Sequence, residues 1–360
     1  MKKFYYLFWT AFIKILIIII PIKSVRAMLR VIKNNLIAYT YNFMSVDDYT
    51  RKKNIKLEQF PLGNNKVSLL NNFYVNVFED LSYLHDGDNN ILEECASSKK
   101  TKILAKKSIH IKPDKVKMLD KAVVFALETE HNYWHFTFHC LDKVINLEES
   151  GFDGKYIVFG DSYIKELMKL IGISDERVIP VYRNEVYKVL KLYVIDDYFK
   201  TDYSALQKVK EKILSNIDLL DIEKYPKRLF VRRIEPYKRT VKNEAEVIEL
   251  LSQYGFDVIF PDSYSVEEQI KYFYAADIII APHGANSTNA LYMRENTRFV
   301  ECFGNYYITP CMLDIIRDNK MSYNMLVSYT NIEGKITDII GRDEDYLVNL
   351  KLLEDTIYNL

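Results

Sequence analysis

Between residues 228 and 302, apolar runs alternate with amphipathic stretches, which predicts a series of strands and helices. Four short runs are expected to form strands: 229–231, 258–260, 277–281 and 298–302. The run 277–281 is rich in Ile, as a strand buried on both faces of a parallel sheet should be. Val247, Ile248 and Leu251 recur at the spacing of one face of a helix over 244–254. The alternation predicts a parallel sheet with helical crossovers.

Two of the predicted helix ends are marked by residues that typically cap helices. Gly255 follows the helix over 244–254, in the position where glycine usually closes a helix. Ser265 precedes a second helix that ends near Ala275, and Glu268 stands three residues after Ser265, the spacing of a capping box.

The third strand runs into a glycine-containing turn, after which a helix is expected to begin. The turn contains His283, Gly284 and Ala285, and helix-capping side chains follow: Asn286, Ser287, Thr288 and Asn289. Free N–H groups at such a helix start form an anion site beyond the carboxyl ends of the strands. An ordinary strand–helix junction with a solvent-capped helix is the alternative.

Basic residues are expected near this turn. Arg232 and Arg233 directly follow the strand 229–231, and Lys238 and Arg239 come in the next loop. Because parallel strands end at the same edge of a sheet, the arginines are expected beside the turn, where their guanidinium groups suit phosphate. The alternative for the arginines is a surface ion pair with Glu235 or Glu244.

The upstream part of the chain is less regular. Residues 31–115 mix polar loops with short apolar runs, which predicts a loop-rich start of a first domain. Further elements are expected downstream, namely strands over 122–127, 157–159 and 186–194 and a helix over 165–170. A helix over 134–147 would place His135 and His139 on one face, with Asp142 three residues beyond His139.

Composition narrows the class of protein. The 360 residues include 49 basic and 49 acidic side chains, so bulk electrostatic binding of nucleic acid is not expected. The cysteines have neither metal-site spacing nor a disulfide framework, which favours reduced thiols: Cys95, Cys140, Cys302 and Cys311.

The N-terminal segment is apolar and aromatic over residues 4–22, with basic residues on both sides. We expect residues 1–33 to associate with a membrane, either as an interfacial helix or as a spanning helix. A charge at Lys14 disfavours spanning by about 3 kcal/mol. A signal peptide and a buried N-terminal helix are the other interpretations.

Several of these elements together resemble glycosyltransferase family 61. They are the strand ending in Arg232-Arg233, the later Asn243-Glu244, the Gly255-Phe256 pair, Glu268-Gln269, and the turn with Asn289. Asn132-Tyr133-Trp134-His135 resembles the family's Asn-Tyr-Tyr-His element, and residues 167–178 resemble its Leu-Leu-Gly-Ile helix and turn. Two features depart from the pattern: Asn286 and Ser287 replace Gly-Leu, and His139 stands where many members carry a carboxylate.

The resemblance implies an α/β protein of GT-B type, with two Rossmann-like domains facing a cleft. The expected division is a membrane-associating segment 1–33, an acceptor-side domain 34–205, a nucleotide-sugar-binding domain 206–335 and a C-terminal amphipathic helix in 336–360. In GT-B proteins such a helix often packs back on the first domain, and this one could do so.

The resemblance also implies an inverting sugar transfer from a nucleotide sugar without a metal ion. The expected donor-binding residues are Arg232, Arg233, Arg239, His283, Gly284, Ala285, Asn286, Ser287, Asn289 and Glu301. Glu301 is expected to accept from ribose hydroxyls, or else to be a solvated strand end.

For the general base, His135 and His139 are the candidates and Asp142 is the reserve, either as base or as the residue that orients His139. A structural role of His135 under its aromatic neighbours is the alternative. A metal site at the two histidines lacks an evident third ligand.

The predicted function is a glycosyltransferase of surface polysaccharide biosynthesis at the cytoplasmic face of a bacterial inner membrane. Its partners would be a nucleotide-sugar donor, a glycan or lipid-linked glycan acceptor and the membrane surface, and no nucleic acid. Two alternatives stay open. One is another sugar-modifying transferase, such as a pyruvyl transferase, and the other is a non-catalytic protein that binds nucleotide sugar or glycan.

Overall fold

The computed structural model describes residues 42–78, 81–88, 90–92, 116–127, 131–182, 185–197, 199–233, 238–305, 307–328 and 344–359. The expected membrane-associating segment therefore lies outside the described residues. Within the described ranges, no helix combines the length and the apolar character needed to cross a membrane. The chain divides into unit 1, with the described residues of Met1–Lys165 and Ile173–Ala205, and unit 2, with those of Glu166–Gly172 and Leu206–Leu360.

Unit 1 contains a mixed sheet, of which the described residues form nine strands in the order β1-β5-β4-β3-β9-β6-β7-β8, with β2 paired to β3. The strands are β1 (Asn42–Met44), β2 (Glu58–Leu62), β3 (Asn65–Phe78), β4 (Leu81–His85), β5 (Asn90–Leu92), β6 (Val116–Val124), β7 (Lys155–Phe159), β8 (Val178–Val181) and β9 (Glu185–Ile195). The helices are α1 (Val46–Lys53), α2 (Tyr133–His139), α3 (Leu141–Glu149) and α4 (Ser162–Leu170), and α4 runs on into residues of unit 2.

The expected loop-rich stretch is wrong where the structure describes it, because residues 58–92 consist mainly of strands. β3 alone is 14 residues long and pairs antiparallel with β2, β4 and β9. The backbone of Asn72 in this strand is left-handed (φ 58°). Buried and exposed side chains therefore do not alternate regularly along the whole strand. β9, β6, β7 and β8 pair in parallel, as the strands of a Rossmann-like domain do, and β1 also pairs in parallel with β5 at the other end of the sheet.

The helix expected over 134–147 is interrupted. Cys140 (φ −118°) separates α2 from α3. The Asn132 side chain caps α2 by accepting from the Trp134 amide at 3.0 Å. The aromatic and β-branched residues of α2 have modest helix propensity, which agrees with a short helix.

Unit 2 contains a parallel sheet in the order β11-β10-β12-β13-β14. The strands are β10 (Arg228–Val231), β11 (Asp257–Ile259), β12 (Ile278–Pro282), β13 (Arg298–Gly304) and β14 (Ser322–Ser328). The helices are α5 (Tyr203–Ser215), which begins in residues of unit 1, α6 (Glu244–Gln253), α7 (Val266–Ala275), α8 (Leu313–Asp318) and α9 (Leu350–Tyr358). The parallel sheet with helical crossovers that the apolar pattern predicts is confirmed here.

The helix-end signals act as expected, with one difference. Gly255 has the left-handed φ of 71° that closes α6. The Ser265 hydroxyl accepts from the Glu268 amide at 3.2 Å. The Glu268 carboxylate, however, accepts from the Tyr225 hydroxyl at 2.6 Å instead of completing the capping box.

The C-terminal helix belongs to the core of unit 2. Leu353 and Ile357 of α9 are buried in one cluster with Leu251 of α6 and Tyr346. Tyr254 also stacks edge-on against Tyr358 at 5.7 Å. The apolar stripe of this helix is therefore covered by other residues of unit 2.

Candidate active site

The carboxyl ends of β10 and β12 form the centre of the candidate site. These strands are neighbours in the sheet although β11 lies between them in sequence, so the strand order reverses there. Open α/β sheets bind ligands at this kind of reversal. β10 leads into Arg232 and Arg233, and β12 leads into His283 and Gly284. The predicted juxtaposition of the arginine pair with the glycine turn is confirmed.

Gly284 is in close contact with Arg233. A Cβ atom at Gly284 would overlap the Arg233 Nη1 atom. The φ of Gly284 is 169°, an extended value open to any residue, so the glycine serves the close approach and not the backbone conformation. Arg233 Nε also donates to the Lys238 carbonyl at 2.6 Å, which holds the guanidinium against the turn.

Arg232 has the ion pair that the sequence left open. Its Nε and Nη2 atoms donate to Glu244 Oε2 at 3.1 and 2.5 Å. Hydrogen bonding to Glu244 raises the pKa of Arg232 above its usual value. The Arg232 carbonyl accepts from the Asn286 side chain at 3.4 Å, which links the two loops.

The helix expected after the turn is a 3-10 helix, Ala285–Tyr292. After Ala285 come Asn286, Ser287 and Thr288, whose side chains compete for backbone hydrogen bonds and disfavour a regular α-helix. Ser287 and Thr288 are buried, and among the described residues their hydroxyl oxygens have no hydrogen-bond partner. Buried hydroxyls without a partner are rare and indicate a water or a ligand at that place.

Asn289 is placed differently from the other turn residues. It is fully buried, and its amide donates to Gln269 Oε1 at 3.0 Å. This bond holds the 3-10 helix to α7, so the side chain of Asn289 supports the turn from inside the protein.

His283 is held by a buried carboxylate. Its Nδ1 atom lies 2.6 Å from Glu301 Oε1, and the Tyr323 hydroxyl donates to Glu301 Oε2 at 2.6 Å. The Glu301 side chain is fully buried, and burial together with Glu301 raises the pKa of Tyr323. Glu301 therefore holds both His283 and Tyr323, and its burial contradicts the alternative of a solvated strand end.

A carboxylate on Nδ1 sets the orientation of the imidazole and leaves Nε2 as the nitrogen that can meet a ligand. The ring is also packed between aromatic side chains. Phe303 stacks on it at 4.9 Å and Tyr307 lies at 5.5 Å. His283 is thus fixed in position before any ligand binds.

Glu301→Gln is expected to weaken nucleoside diphosphate binding about tenfold, the effect typical of losing a residue that orients a ligand-binding histidine. An amide can accept from only one of the two donors, His283 and Tyr323. Isothermal titration with nucleoside diphosphates measures the change. Glu295→Gln is the control, because Glu295 is 59% exposed in an ion pair with Lys320. Equal affinity of the two variants would contradict the role of Glu301.

Arg239 extends the basic side of the site. Its guanidinium lies over the Tyr307 ring at 5.0 Å, and its backbone is left-handed (φ 63°). The Nε atom is buried, with no hydrogen-bond partner among the described residues. Because Tyr307 also contacts His283, Arg239 belongs to the same cluster of side chains.

The histidines of unit 1 form a pair. His135 Nδ1 and His139 Nδ1 are 3.1 Å apart, and the Phe199 ring packs edge-on against both. Burial, and then His135 and Lys143, lower the pKa of His139 to about 3. His139 is therefore neutral near pH 7 and accepts a proton poorly.

Asp142 does not contact this pair in the structure. Its carboxylate is fully buried and accepts from Lys143 Nζ at 3.0 Å and from the Asp202 amide at 2.8 Å. This arrangement is that of a structural ion pair. Within the described part of the chain, no group of three or more His, Cys, Asp or Glu side chains is arranged to hold a metal ion.

Some residues of the site gave no local signal in the sequence. Tyr323 lies on β14, and Phe303 and Tyr307 lie at and beyond the end of β13. Their contacts with Glu301 and His283 arise because neighbouring strands bring them together, so only the pairing of β13 with β14 could have identified Tyr323.

Comparison with known families agrees with these elements. Residues 133–300 match the family model described as Glycosyltransferase 61. The matched region contains the His135–His139 pair, the arginines after β10 and the glycine turn, and it ends one residue before Glu301. Comparison with curated proteins gave no match. The family match supports glycosyltransferase family 61 and the activity class of a glycosyltransferase.

Proposed function

We propose that this chain transfers a sugar from a nucleotide-sugar donor to a glycan or glycolipid acceptor. The family match over residues 133–300 supports the activity class. The finer parts of the proposal are an inverting transfer, independence of metal ions, a GT-B arrangement and a role in surface polysaccharide biosynthesis at the membrane.

One observation supports a donor site in unit 2. Arg233 closely approaches Gly284 at the point where the strand order of the sheet reverses. A guanidinium lies there beside the start of a 3-10 helix, where the first amides have no acceptor within the helix, and the Ser287 amide donates to the Gly284 carbonyl at 2.9 Å. The buried Ser287 hydroxyl without a partner lies in the same turn. Cationic and N–H donors converging on one place favour a diphosphate.

The same groups suit the chemistry of the leaving group. When the bond between the sugar and the diphosphate breaks, negative charge develops on a phosphate oxygen. Preorganised donors stabilise such charge most when they are already in place. Arg233, Arg239 and His283 are held by Lys238, Tyr307 and Glu301, respectively.

A non-catalytic, nucleotide-sugar-binding protein is the second candidate. It is favoured by His139, which replaces the family's carboxylate and has its pKa lowered to about 3. Such a protein would bind a donor and would neither transfer nor hydrolyse its sugar.

Binding of a nucleotide and nucleotide-sugar panel tests the proposal, by thermal shift and calorimetry, once with EDTA and once with Mg²⁺. We expect one nucleoside diphosphate and its sugars to stabilise the protein, by about 2.7 kcal/mol at a ligand concentration of 100 times Kd. Equal stabilisation with EDTA would support metal independence. The absence of any stabilisation would contradict the donor site, and turnover with phosphoenolpyruvate alone would favour a pyruvyl transferase.

A further inference from the structure

The 3-10 helix after the glycine turn is anchored at its carbonyl end. This helix, Ala285–Tyr292, begins at the candidate donor site. Asn319, a buried residue directly after α8, donates from Nδ2 to the Ala290 carbonyl at 3.2 Å and to the Leu291 carbonyl at 2.8 Å. The last carbonyl groups of a helix have no partner within it, so a side chain from another element supplies one here.

Lys210 on α5 completes this anchor. Its Nζ atom donates to the Met293 carbonyl at 2.7 Å and to Asn319 Oδ1 at 3.0 Å. Gln207, one turn earlier on α5, donates to the same Asn319 oxygen at 3.3 Å. All of these residues belong to unit 2, so the anchor is formed within one unit.

A positive charge on Lys210 is unfavourable for stability. Both of its acceptors are neutral oxygen atoms, and burying an ammonium group on neutral partners costs free energy. Burial lowers the pKa of Lys210 to about 8, and Glu295 acts in the opposite direction. The charged residues that follow Met293 form ion pairs of their own, Arg294 with Asp277 and Glu295 with Lys320. Because methionine would fill similar space without a buried charge, the lysine indicates a function other than stability.

The two ends of the 3-10 helix differ in charge. Aligned peptide dipoles make the amide end of a helix partly positive and the carbonyl end partly negative. The Lys210 ammonium group lies at the carbonyl end, where a cation is favourable. At the amide end, the close approach of Arg233 to Gly284 marks the candidate donor site. The same short helix therefore connects the lysine with the diphosphate site.

We propose that Lys210 is a positioning residue for nucleotide-sugar binding. Together with Asn319 it fixes the carbonyl end of the 3-10 helix, and its positive charge strengthens the hydrogen bonds that do so. The glycine turn at the other end is thereby held in the position that receives the diphosphate. The inference rests on the proposed glycosyltransferase function, and it adds a residue that acts through the helix.

The charge on Lys210 gives donor binding a defined pH dependence. When the pH rises through the Lys210 pKa of about 8, the hydrogen bonds lose their charge assistance and donor affinity should fall. Stability changes in the opposite direction. Because the folded-state pKa lies below the usual value of 10.5, the unfolded chain binds more protons in this range and the free energy of unfolding rises with pH. A purely structural lysine would not separate affinity from stability in this way.

The test measures nucleotide-sugar binding to the full chain by calorimetry at pH 7, 8 and 9, with UDP-, dTDP-, GDP- and ADP-sugars as probes. Lys210→Met is compared with the wild type and with Lys208→Met, a control at an exposed lysine of the same helix. We expect Lys210→Met to bind about tenfold more weakly at pH 7, as is typical of losing a supporting residue. Lys208→Met should differ from the wild type by less than about twofold.

The pH series separates charge from shape. At pH 9 the Kd of Lys210→Met should exceed that of the wild type by less than about threefold, because the wild type has then lost most of its charge. Titration of the ligand and of the rest of the protein cancels in this ratio. Lys210→Met is expected to fold, since Gln207 still donates to Asn319. Urea unfolding should show the wild type gaining stability relative to Lys210→Met between pH 7 and pH 9.

Two results would overturn the inference. One is a Kd of Lys210→Met within about threefold of the wild-type value at pH 7. The other is a loss of affinity that stays the same at pH 9, because it would show that the shape of the side chain matters and its charge does not. A wild-type chain that binds no nucleotide sugar refutes the proposed function itself, whereas donor binding that does not depend on Lys210 refutes only this inference.

Discussion

Replacing Lys143 with methionine is expected to lower the free energy of unfolding by about 3–5 kcal/mol, the effect of removing one partner of a buried ion pair. Lys143 and Asp142 are both fully buried, with Nζ 3.0 Å from Oδ2. Lys143 Nζ also donates to the Lys200 carbonyl at 2.8 Å. Methionine fills similar space and leaves the Asp142 carboxylate without its cation. Urea unfolding at pH 7 measures the loss.

The pH dependence of this variant has a defined sign. Burial raises the pKa of Asp142, and Lys143 acts in the opposite direction. Without Lys143 the folded-state pKa rises further above that of the unfolded chain, so stability is gained as the pH falls through it. The deficit of Lys143→Met should therefore be smaller at pH 5 than at pH 7.

The double variant Lys143→Met/Asp142→Asn is the control for the buried charge. The asparagine oxygen can still accept from the Asp202 amide, which donates to Asp142 at 2.8 Å in the wild type. We expect the double variant to recover much of the lost stability, because a buried pair replaced as a whole is often nearly neutral. An equal loss in the single and double variants would contradict a role of charge and leave packing as the cause.

Arg233→Ala is expected to weaken nucleoside diphosphate binding by about 1.5–3 kcal/mol, the range for a hydrogen bond to a charged group. This corresponds to roughly tenfold to 150-fold in Kd. Arg232→Ala should have a smaller effect, because its guanidinium is engaged by Glu244 at 2.5 Å. Calorimetric titration of both variants with the same nucleoside diphosphate gives the comparison. A larger loss in Arg232→Ala would assign the phosphate contact to Arg232, as the sequence alone allowed.

Gly284→Ala tests the same contact from the other side. The added methyl group would displace the Arg233 guanidinium, which is the end of a flexible side chain, so stability should change little while affinity falls. Gly304→Ala at the end of β13 is the matched control, since its Cβ would meet Tyr346 at an ordinary 3.4 Å. Equal affinities of the two glycine variants would exclude a functional contact between Gly284 and Arg233.

Local patterns predicted unit 2 better than unit 1. β10, β12 and β13 are short, mainly buried strands made of apolar runs, and Gly255 and Ser265 mark the neighbouring helix ends. In unit 1, β3 is stabilised by pairing with β4 and β9, and its sequence has no regular alternation of apolar and polar residues. Pairing with strands that are distant in the sequence produces no periodic pattern of apolar residues within the strand itself.

The sequence by itself determined the parallel sheet of unit 2, the glycine turn after β12 and the position of the arginines, because the turn and the strand ends are set by neighbouring residues. Only the tertiary structure decided that Arg233 contacts Gly284, while Arg232 pairs with Glu244. It also decided that Glu301 holds His283 and that His131 meets Asp161, 30 residues later in the chain. Such contacts depend on strand order and side-chain packing, which a local pattern of apolar and polar residues does not encode.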